Sequence, residues 1–268
     1  MTNVVIGAGS GMGAEVARRL APRGRLLVAD RDLALVEQIA AEIGGDVEAV
    51  ACDVTDQAQI DALFGKVDEL GALVHTAGLS GSQAPGPTIL NVNLVGTARV
   101  IRAAEAMAGP NTVVVCFASQ SGYMVPEVPA LFEVLEDPLA EHFFDDLAEW
   151  FDIDDPALAY QMSKRGVHRL VRKAAAPFGA RGARILSLSP GINDTPMNRR
   201  DEERQPIMAE IIKHSPLGRR GRTDEVAKVV AFLTSEDASY MTGSDVLVDG
   251  GMVTVLPSAW GGKLRKSA

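Results

Sequence analysis

Two side chains four positions apart, Tyr160 and Lys164, carry the strongest chemical signal in the sequence. On a helix that spacing puts both on one face. A free tyrosine has a pKa of about 10 and is a poor base at neutral pH. An ammonium beside it favours the phenolate and lowers that pKa. A tyrosine so placed takes a proton from an alcohol during oxidation, or returns it during reduction. Taken alone, such a pair is common and usually marks a helix surface. Ser119 adds weight, because it follows the apolar run 112–118, which reads as a buried strand. A hydroxyl at that strand end can hydrogen-bond a substrate oxygen; Ser121 is its rival for the role.

A second signal lies near the start of the chain. The run IGAGSGMG occupies 6–13, between a short apolar run and a helical pattern. Gly7, Gly11 and Gly13 fit a GxxxGxG spacing; the alternative GxGxxG would require glycine at Met12. Glycines in such a turn let the backbone approach a pyrophosphate, and the helix that follows offers free N–H groups and partial positive charge. Ser10 and Met12 belong to the same turn. Asp30 ends the second strand, where a carboxylate accepts hydrogen bonds from ribose hydroxyls and repels a 2′-phosphate, favouring NAD over NADP. Arg31 beside it offsets part of that repulsion. The competing reading of Asp30 is a helix cap, a job that Asp32 can also fill.

These residues need a scaffold, and the periodicity supplies one. Apolar, β-branched runs at 4–6, 26–29, 47–51, 72–75, 112–118, 183–189 and 245–248 alternate with helical patterns at 11–20, 33–43, 56–64, 94–107, 157–178 and 224–233. Continuous apolar strands alternating with helices predict an α/β fold with a parallel sheet buried on both faces. Right-handed crossovers make that sheet doubly wound. Residues 1–255 read as a single dinucleotide-binding and catalytic domain, and 256–268 as a tail containing Trp260. Two stretches break the rhythm. Residues 124–156 read as irregular and acidic, and 196–222, carrying NRRDEERQ, read as a lid.

Composition narrows the alternatives. With 268 residues, of which 47% are hydrophobic and 23% charged, the chain is an ordinary globular one. A net charge of -9 disfavours a nucleic-acid partner, which calls for a basic face. Cys52 and Cys116 read as reduced core thiols, neither at metal-ligand spacing, so no metal is expected. No leader-like segment precedes the first strand and no apolar run reaches membrane-spanning length, which makes a cytoplasmic protein with no membrane partner the expectation. A phosphate-loop ATPase is excluded because the glycine turn lacks a GK[ST] ending.

Over roughly 3–251 the chain resembles the short-chain dehydrogenase/reductase family. The resemblance rests on GAGSGMG at 7–13, CDV with Asp53, TAG at 76–78, NVNLVG with Asn93, SQSG from Ser119, YQMSK at 160–164, SPGINDT at 189–195 and MTGSDVLVDGG at 241–251. It implies a Rossmann-like fold and hydride transfer between NAD(H) and a secondary alcohol or ketone, by a catalytic set of Asn93, Ser119, Tyr160 and Lys164. Asp53 and Val54 should flank the adenine, and Ala77 and Gly78 should line the ribose path. Asn93 should hold a water linking Lys164 to solvent, and Lys164 should also reach the nicotinamide ribose. Pro190, Gly191, Ile192 and Thr195 should hold the nicotinamide. The family's spacing of serine to glycine selects Ser119 over Ser121, since Gly122 follows at the right distance.

The departures matter as much. His75-Thr76-Ala77-Gly78 stands where the family usually has NNAG, and His75 reads as structural. Ile6 replaces a usual threonine, which predicts one lost local hydrogen bond. Ser119 and Tyr160 lie further apart than in most members, and the extra residues form the 124–156 insertion. By place and size the insertion resembles that of bacterial 3α-hydroxysteroid dehydrogenase/carbonyl reductases, which implies a hydroxysteroid or other hydrophobic carbonyl as substrate. Its Leu131, Phe132, Leu135, Phe143, Phe144, Trp150 and Phe151 must pack on the chain itself, a second subunit or that substrate. The family's usual assembly through helices 94–107 and 157–178 implies a homo-oligomer, dimer or tetramer. If the insertion extends those helices, its aromatic residues should be buried against the partner. A 3-oxoacyl thioester reductase is the alternative enzyme; a non-catalytic NAD-binding sensor is the alternative of another class.

Overall fold

A computed structural model describes residues 1–204, 207–255 and 264–266. Most of the tail expected at 256–268, including Trp260, lies outside the described residues, as do 205–206 of the expected lid. In chain order the elements are β1 (Thr2–Ile6), α1 (Gly11–Leu20), β2 (Leu26–Asp30), α2 (Leu33–Ile43), β3 (Val47–Ala51), α3 (Gln57–Phe64), β4 (Leu70–His75) and α4 (Gly86–Leu90). They continue with α5 (Gly96–Met107), β5 (Val113–Phe117), α6 (Pro129–Leu135), α7 (Phe143–Ala148), α8 (Pro156–Ala180) and β6 (Arg184–Pro190). The last are α9 (Pro196–Arg204), α10 (Ile207–His214), α11 (Thr223–Leu233), β7 (Asp245–Val248) and α12 (Met252–Val255).

The seven strands form one sheet in the order β3-β2-β1-β4-β5-β6-β7, every pair parallel. Successive side chains of β1 serve opposite layers: Val4 and Ile6 pack with α3, α5 and α8, while Val5 packs with α1, α2 and α11. A strand that feeds two cores must be apolar at every position, which explains the unbroken apolar runs. The chain order reverses beside β1, which has β2 on one side and β4 on the other. Ligands bind such sheets in the crevice at that reversal, off the strands' C-terminal ends. The glycine turn leaves β1 there, and Thr76, Ala77 and Gly78 leave β4 there.

Three local readings change. The helix expected over 94–107 begins earlier, at Gly86, and passes through a π-helical turn at Asn91–Val95 before continuing as α5. Pro85 caps this helix and Pro87 lies in its first turn, where a proline has no intrahelical N–H bond to lose. Residues 124–156 are not irregular, since α6 and α7 lie within them. The insertion's apolar side chains are buried in this chain rather than against a partner: Leu131, Leu135 and Phe151 are fully buried and Phe143 and Trp150 nearly so.

The insertion is clamped to the outer stripe of α8. Arg165 and Arg169, one turn apart, lie 4.8 and 4.7 Å from the Phe132 ring centroid. Arg169 also donates from Nε to Glu136 Oε1 at 2.8 Å, and Lys173, a further turn on, donates to the Glu136 carbonyl at 3.0 Å. The described C-terminal residues add a strap. The Arg265 amide donates to the Trp150 carbonyl at 2.6 Å, its guanidinium donates to the Ala148 carbonyl at 2.7 Å, and Lys266 pairs with Glu149.

Candidate active site

The glycine turn closes on itself so tightly that two of its glycines are fixed by packing. A Cβ on Gly13 would sit 2.0 Å from the Gly7 carbonyl oxygen, and one on Gly7 would sit 2.4 Å from the Ala77 nitrogen. Gly11 is different: a Cβ there would meet nothing nearer than Thr195 Cγ2, at an ordinary 3.5 Å, but its φ of +56° favours glycine. Gly7 and Gly13 therefore owe their identity to the protein's own backbone, not to room left for a ligand. The hydrogen bond expected to be lost at Ile6 is supplied from the facing turn. Thr76 Oγ1 donates to the carbonyls of both Ile6 and Gly7, each at 3.0 Å. Ser10 caps α1 without spending its side chain on the helix, which leaves the first-turn amides for an anion.

A cleft of about 300 Å³ opens over this turn. Gly7, Ser10, Gly11, Met12, Gly13, Asp30, Arg31, Asp53, Val54, Ala77, Gly78 and Thr195, all singled out in the sequence, line it. Leu35, Thr76, Met197 and Arg200 line it as well and were not foreseen. Arg200 and Met197 come from α9, whose docking no spacing in the sequence reports. Asp30 is held by two amides, Gly9 to Oδ2 at 3.1 Å and Asp32 to Oδ1 at 3.2 Å. The α2 cap is Asp32, whose carboxylate accepts from Leu35 N at 3.4 Å. Asp30 is thus freed of the capping role and faces the cleft. Among the described residues no three His, Cys, Asp or Glu side chains gather to hold a metal ion, and no helix is long and apolar enough to cross a membrane.

Tyr160, Lys164 and Ser119 meet where β5 ends. Ser119 lies close enough to the Tyr160 phenol to favour its ionised form, and its Oγ accepts from Ser121 N at 3.1 Å. That proximity to the phenol decides between the two serines. Lys164, nearly buried, donates from Nζ to the Phe117 carbonyl at 3.1 Å and lies 5.8 Å from the Tyr160 ring centroid. Burial pulls its pKa down to about 8. The Tyr160 pKa is raised, first by burial, with Ser119 opposing and the charge of Asp201 adding. The lowering by Lys164 expected from the sequence is therefore absent in this state. The ammonium is engaged by a main-chain oxygen, and desolvation of the phenolate dominates.

Asn93 sits in the π-helical turn and ties the loop after β4 to α8. It accepts from Leu79 N at 2.7 Å through Oδ1, and donates through Nδ2 to the Leu79 carbonyl at 2.9 Å and to Ser163 Oγ at 3.2 Å. The extra residue of a π turn re-aims the side chains it carries, and such turns gather at functional sites. Pro190 ends β6, Gly191 donates to the Val248 carbonyl at 2.9 Å, and the Ile192 carbonyl accepts from Gly221 N at 3.0 Å. Pro190, Gly191, Ile192, Tyr160 and Lys164 do not line the 300 Å³ cleft. His75 is buried, with Nε2 3.0 Å from Thr97 Oγ1, and burial lowers its pKa to about 3, so it stays neutral. Both cysteines are buried free thiols pushed up to about 12 by burial.

A glycine turn at the topological switch point, an acidic residue ending β2 and a Ser-Tyr-Lys set beyond β5 make up the arrangement expected of a dinucleotide-dependent oxidoreductase. Comparison with known proteins gives the same class. A family model described as short chain dehydrogenase matches residues 2–130, and one described as Enoyl-(Acyl carrier protein) reductase matches 152–253. The chain is 32% identical to galactitol 2-dehydrogenase (L-tagatose-forming) of Cereibacter sphaeroides, over 92% of each chain. It is 30% identical to cis-4-hydroxycyclohexanecarboxylate dehydrogenase of Sinomonas cyclohexanicum, over 94% of this chain and 96% of that one. The solved structure of levodione reductase superposes with a TM-score of 0.77 at 26% identity, covering 95% of this chain and 98% of that one. The chain belongs to the short-chain dehydrogenase/reductase family, whose members bind a nicotinamide cofactor and act on alcohols and ketones.

Proposed function

We propose that the protein transfers a hydride between NAD(H) and a secondary alcohol or its ketone, with Ser119, Tyr160 and Lys164 as the catalytic set. The observation that carries this reading is the meeting at the end of β5 of Ser119, Tyr160 and buried Lys164, whose Nζ lies 5.8 Å from the Tyr160 ring centroid one turn along the same helix. The residues fit the cofactor: Gly7–Gly13 and the uncapped α1 amides would hold its pyrophosphate, Asp30 its adenosine ribose, and Pro190, Gly191, Ile192 and Thr195 its nicotinamide. The nicotinamide supplies the hydride acceptor in oxidation and the donor in reduction. Ser119 orients the substrate oxygen. Tyr160 takes its proton in oxidation and returns it in reduction, and Lys164 steadies the charge that forms on the phenol. Asn93 sits where a relay from Lys164 to solvent would pass.

Asp30 supports NAD over NADP, because a fixed carboxylate at the adenosine end opposes a 2′-phosphate. The relatives point to secondary alcohols without choosing one. The test is turnover of a panel of cyclic, polyol and steroid alcohols with each cofactor. Higher kcat/KM with NAD supports the assignment; equal or better values with NADP overturn the cofactor choice. We further propose a homodimer, because the insertion covers the outer stripe of α8 that the family's usual assembly uses.

A further inference from the structure

The loop after β4 and helix α9 meet directly over Tyr160. A Cβ on Gly81 would lie 3.5 Å from the Tyr160 Cβ, so this loop rests on the catalytic tyrosine. The serines on either side of Gly81 reach the same carboxylate: Ser80 donates from Oγ to Asp201 Oδ1 at 3.0 Å, and Ser82 bonds the same oxygen. Asp201, on α9, is 8% exposed, and Ser80 is 5% exposed. A carboxylate buried to that degree costs free energy unless it is hydrogen-bonded, and two hydroxyls meet part of that need. The neighbouring cation Arg199 is turned away, its guanidinium bound to both oxygens of Asp194 at 2.7 and 2.9 Å. The position also accounts for the contribution of Asp201 to the raised pKa of Tyr160.

We infer that Asp201 is a specificity-determining residue: held over Tyr160 by Ser80 and Ser82, its carboxylate admits uncharged alcohols and ketones and repels substrates bearing a carboxylate or phosphate near the reacting carbon. The inference rests on the dehydrogenase reading above and adds the charge of the substrate to it. The physical basis is distance and medium. Two like charges in a partly desolvated pocket repel far more strongly than in water, because the low-dielectric wall screens them poorly. Asp201 needs no contact with the reacting atoms to act in this way.

The test uses a matched pair, 4-hydroxycyclohexanecarboxylate and its carboxamide, which differ in charge and little in shape. The wild type should oxidise the carboxamide with a kcat/KM on the order of tenfold or more above that of the carboxylate. Asp201→Asn keeps the acceptor oxygen for both serines and removes the charge, so the ratio should fall towards one, chiefly through a lower KM for the anion. Asp201→Glu keeps the charge and should keep the preference. A second readout separates charge from shape: in Asp201→Asn the pH at which oxidation rises should move down, because the charge opposing the phenolate is gone. Equal kcat/KM values in the wild type, or a ratio unchanged by Asp201→Asn, overturn the role of Asp201 while leaving the dehydrogenase reading intact. Absence of nicotinamide-linked turnover with any alcohol overturns the dehydrogenase reading and this inference together.

Discussion

The Tyr160 hydroxyl is one atom in the site that a substitution can remove with almost no change of shape. Tyr160→Phe should lower kcat on the true substrate by roughly 10²–10⁴-fold while cofactor affinity, read by quenching of bound NADH fluorescence, stays near the wild-type value. Wild-type turnover in that variant would remove Tyr160 from the chemistry. Lys164→Met should damage both readouts if, as proposed, the same ammonium serves the phenol and the ribose. His75 makes a prediction of a different kind. Its folded pKa of about 3 lies below the ordinary value near 6.5, so below pH 6.5 the unfolded chain binds a proton that the folded chain refuses. Its contribution to stability is complete above that value and is lost as the pH falls, at roughly 1.4 kcal/mol per pH unit. Urea unfolding at pH 7 and pH 5 reads this slope, and His75→Asn should flatten it. An equal slope in both proteins would mean that His75 titrates normally.

At the scale of elements, the insertion and α9 behave differently because they are held differently. The insertion is core: Leu131 is fully buried, so Leu131→Ala should destabilise the protein by about 2–5 kcal/mol, measured by chemical denaturation. A loss below 1 kcal/mol would make α6 a loosely attached decoration. Helix α9 has no apolar residue after Met197 and is fastened over the loop after β4 through Asp201. A helix with so little apolar surface to bury opens at low free-energy cost. Hydrogen exchange along 196–204 should slow when NAD and an alcohol bind together. Protection that is already high in the free protein, and unchanged by ligand, would exclude a lid.

Across the whole molecule, assembly follows from what covers α8. With Phe132, Glu136 and the Arg265 strap gathered around the insertion, that surface is occupied from within the chain. Light scattering should return the mass of a dimer; a tetramer would show that the partner docks over the insertion instead of being displaced by it. How much of this was written in the chain depends on the range of the interaction. The sheet was legible because a strand buried on both faces must be apolar throughout, and Val4–Ile6 or Val113–Phe117 can be nothing else. The glycine turn, Asp30 and the Tyr160–Lys164 pair were legible because each depends on spacing within one turn or one strand end. Other features were decided by contacts between residues far apart in sequence. Gly7 and Gly13 are required by the packing of the turn on Ala77 and on itself. Asp30 faces the cleft because Asp32 takes the cap. Phe132 of the insertion packs under Arg165 and Arg169 of α8, and Phe143, Trp150 and Phe151 are buried within the chain. Lys164 turns to the Phe117 carbonyl, so burial and not the ammonium sets the tyrosine's acidity. The charge of Asp201 is felt at Tyr160 only because α9 folds back over a loop more than a hundred residues earlier, at a separation of 121 from Ser80. Local pattern specifies which elements form; the desolvation and charge that tune a site arise only when those elements pack.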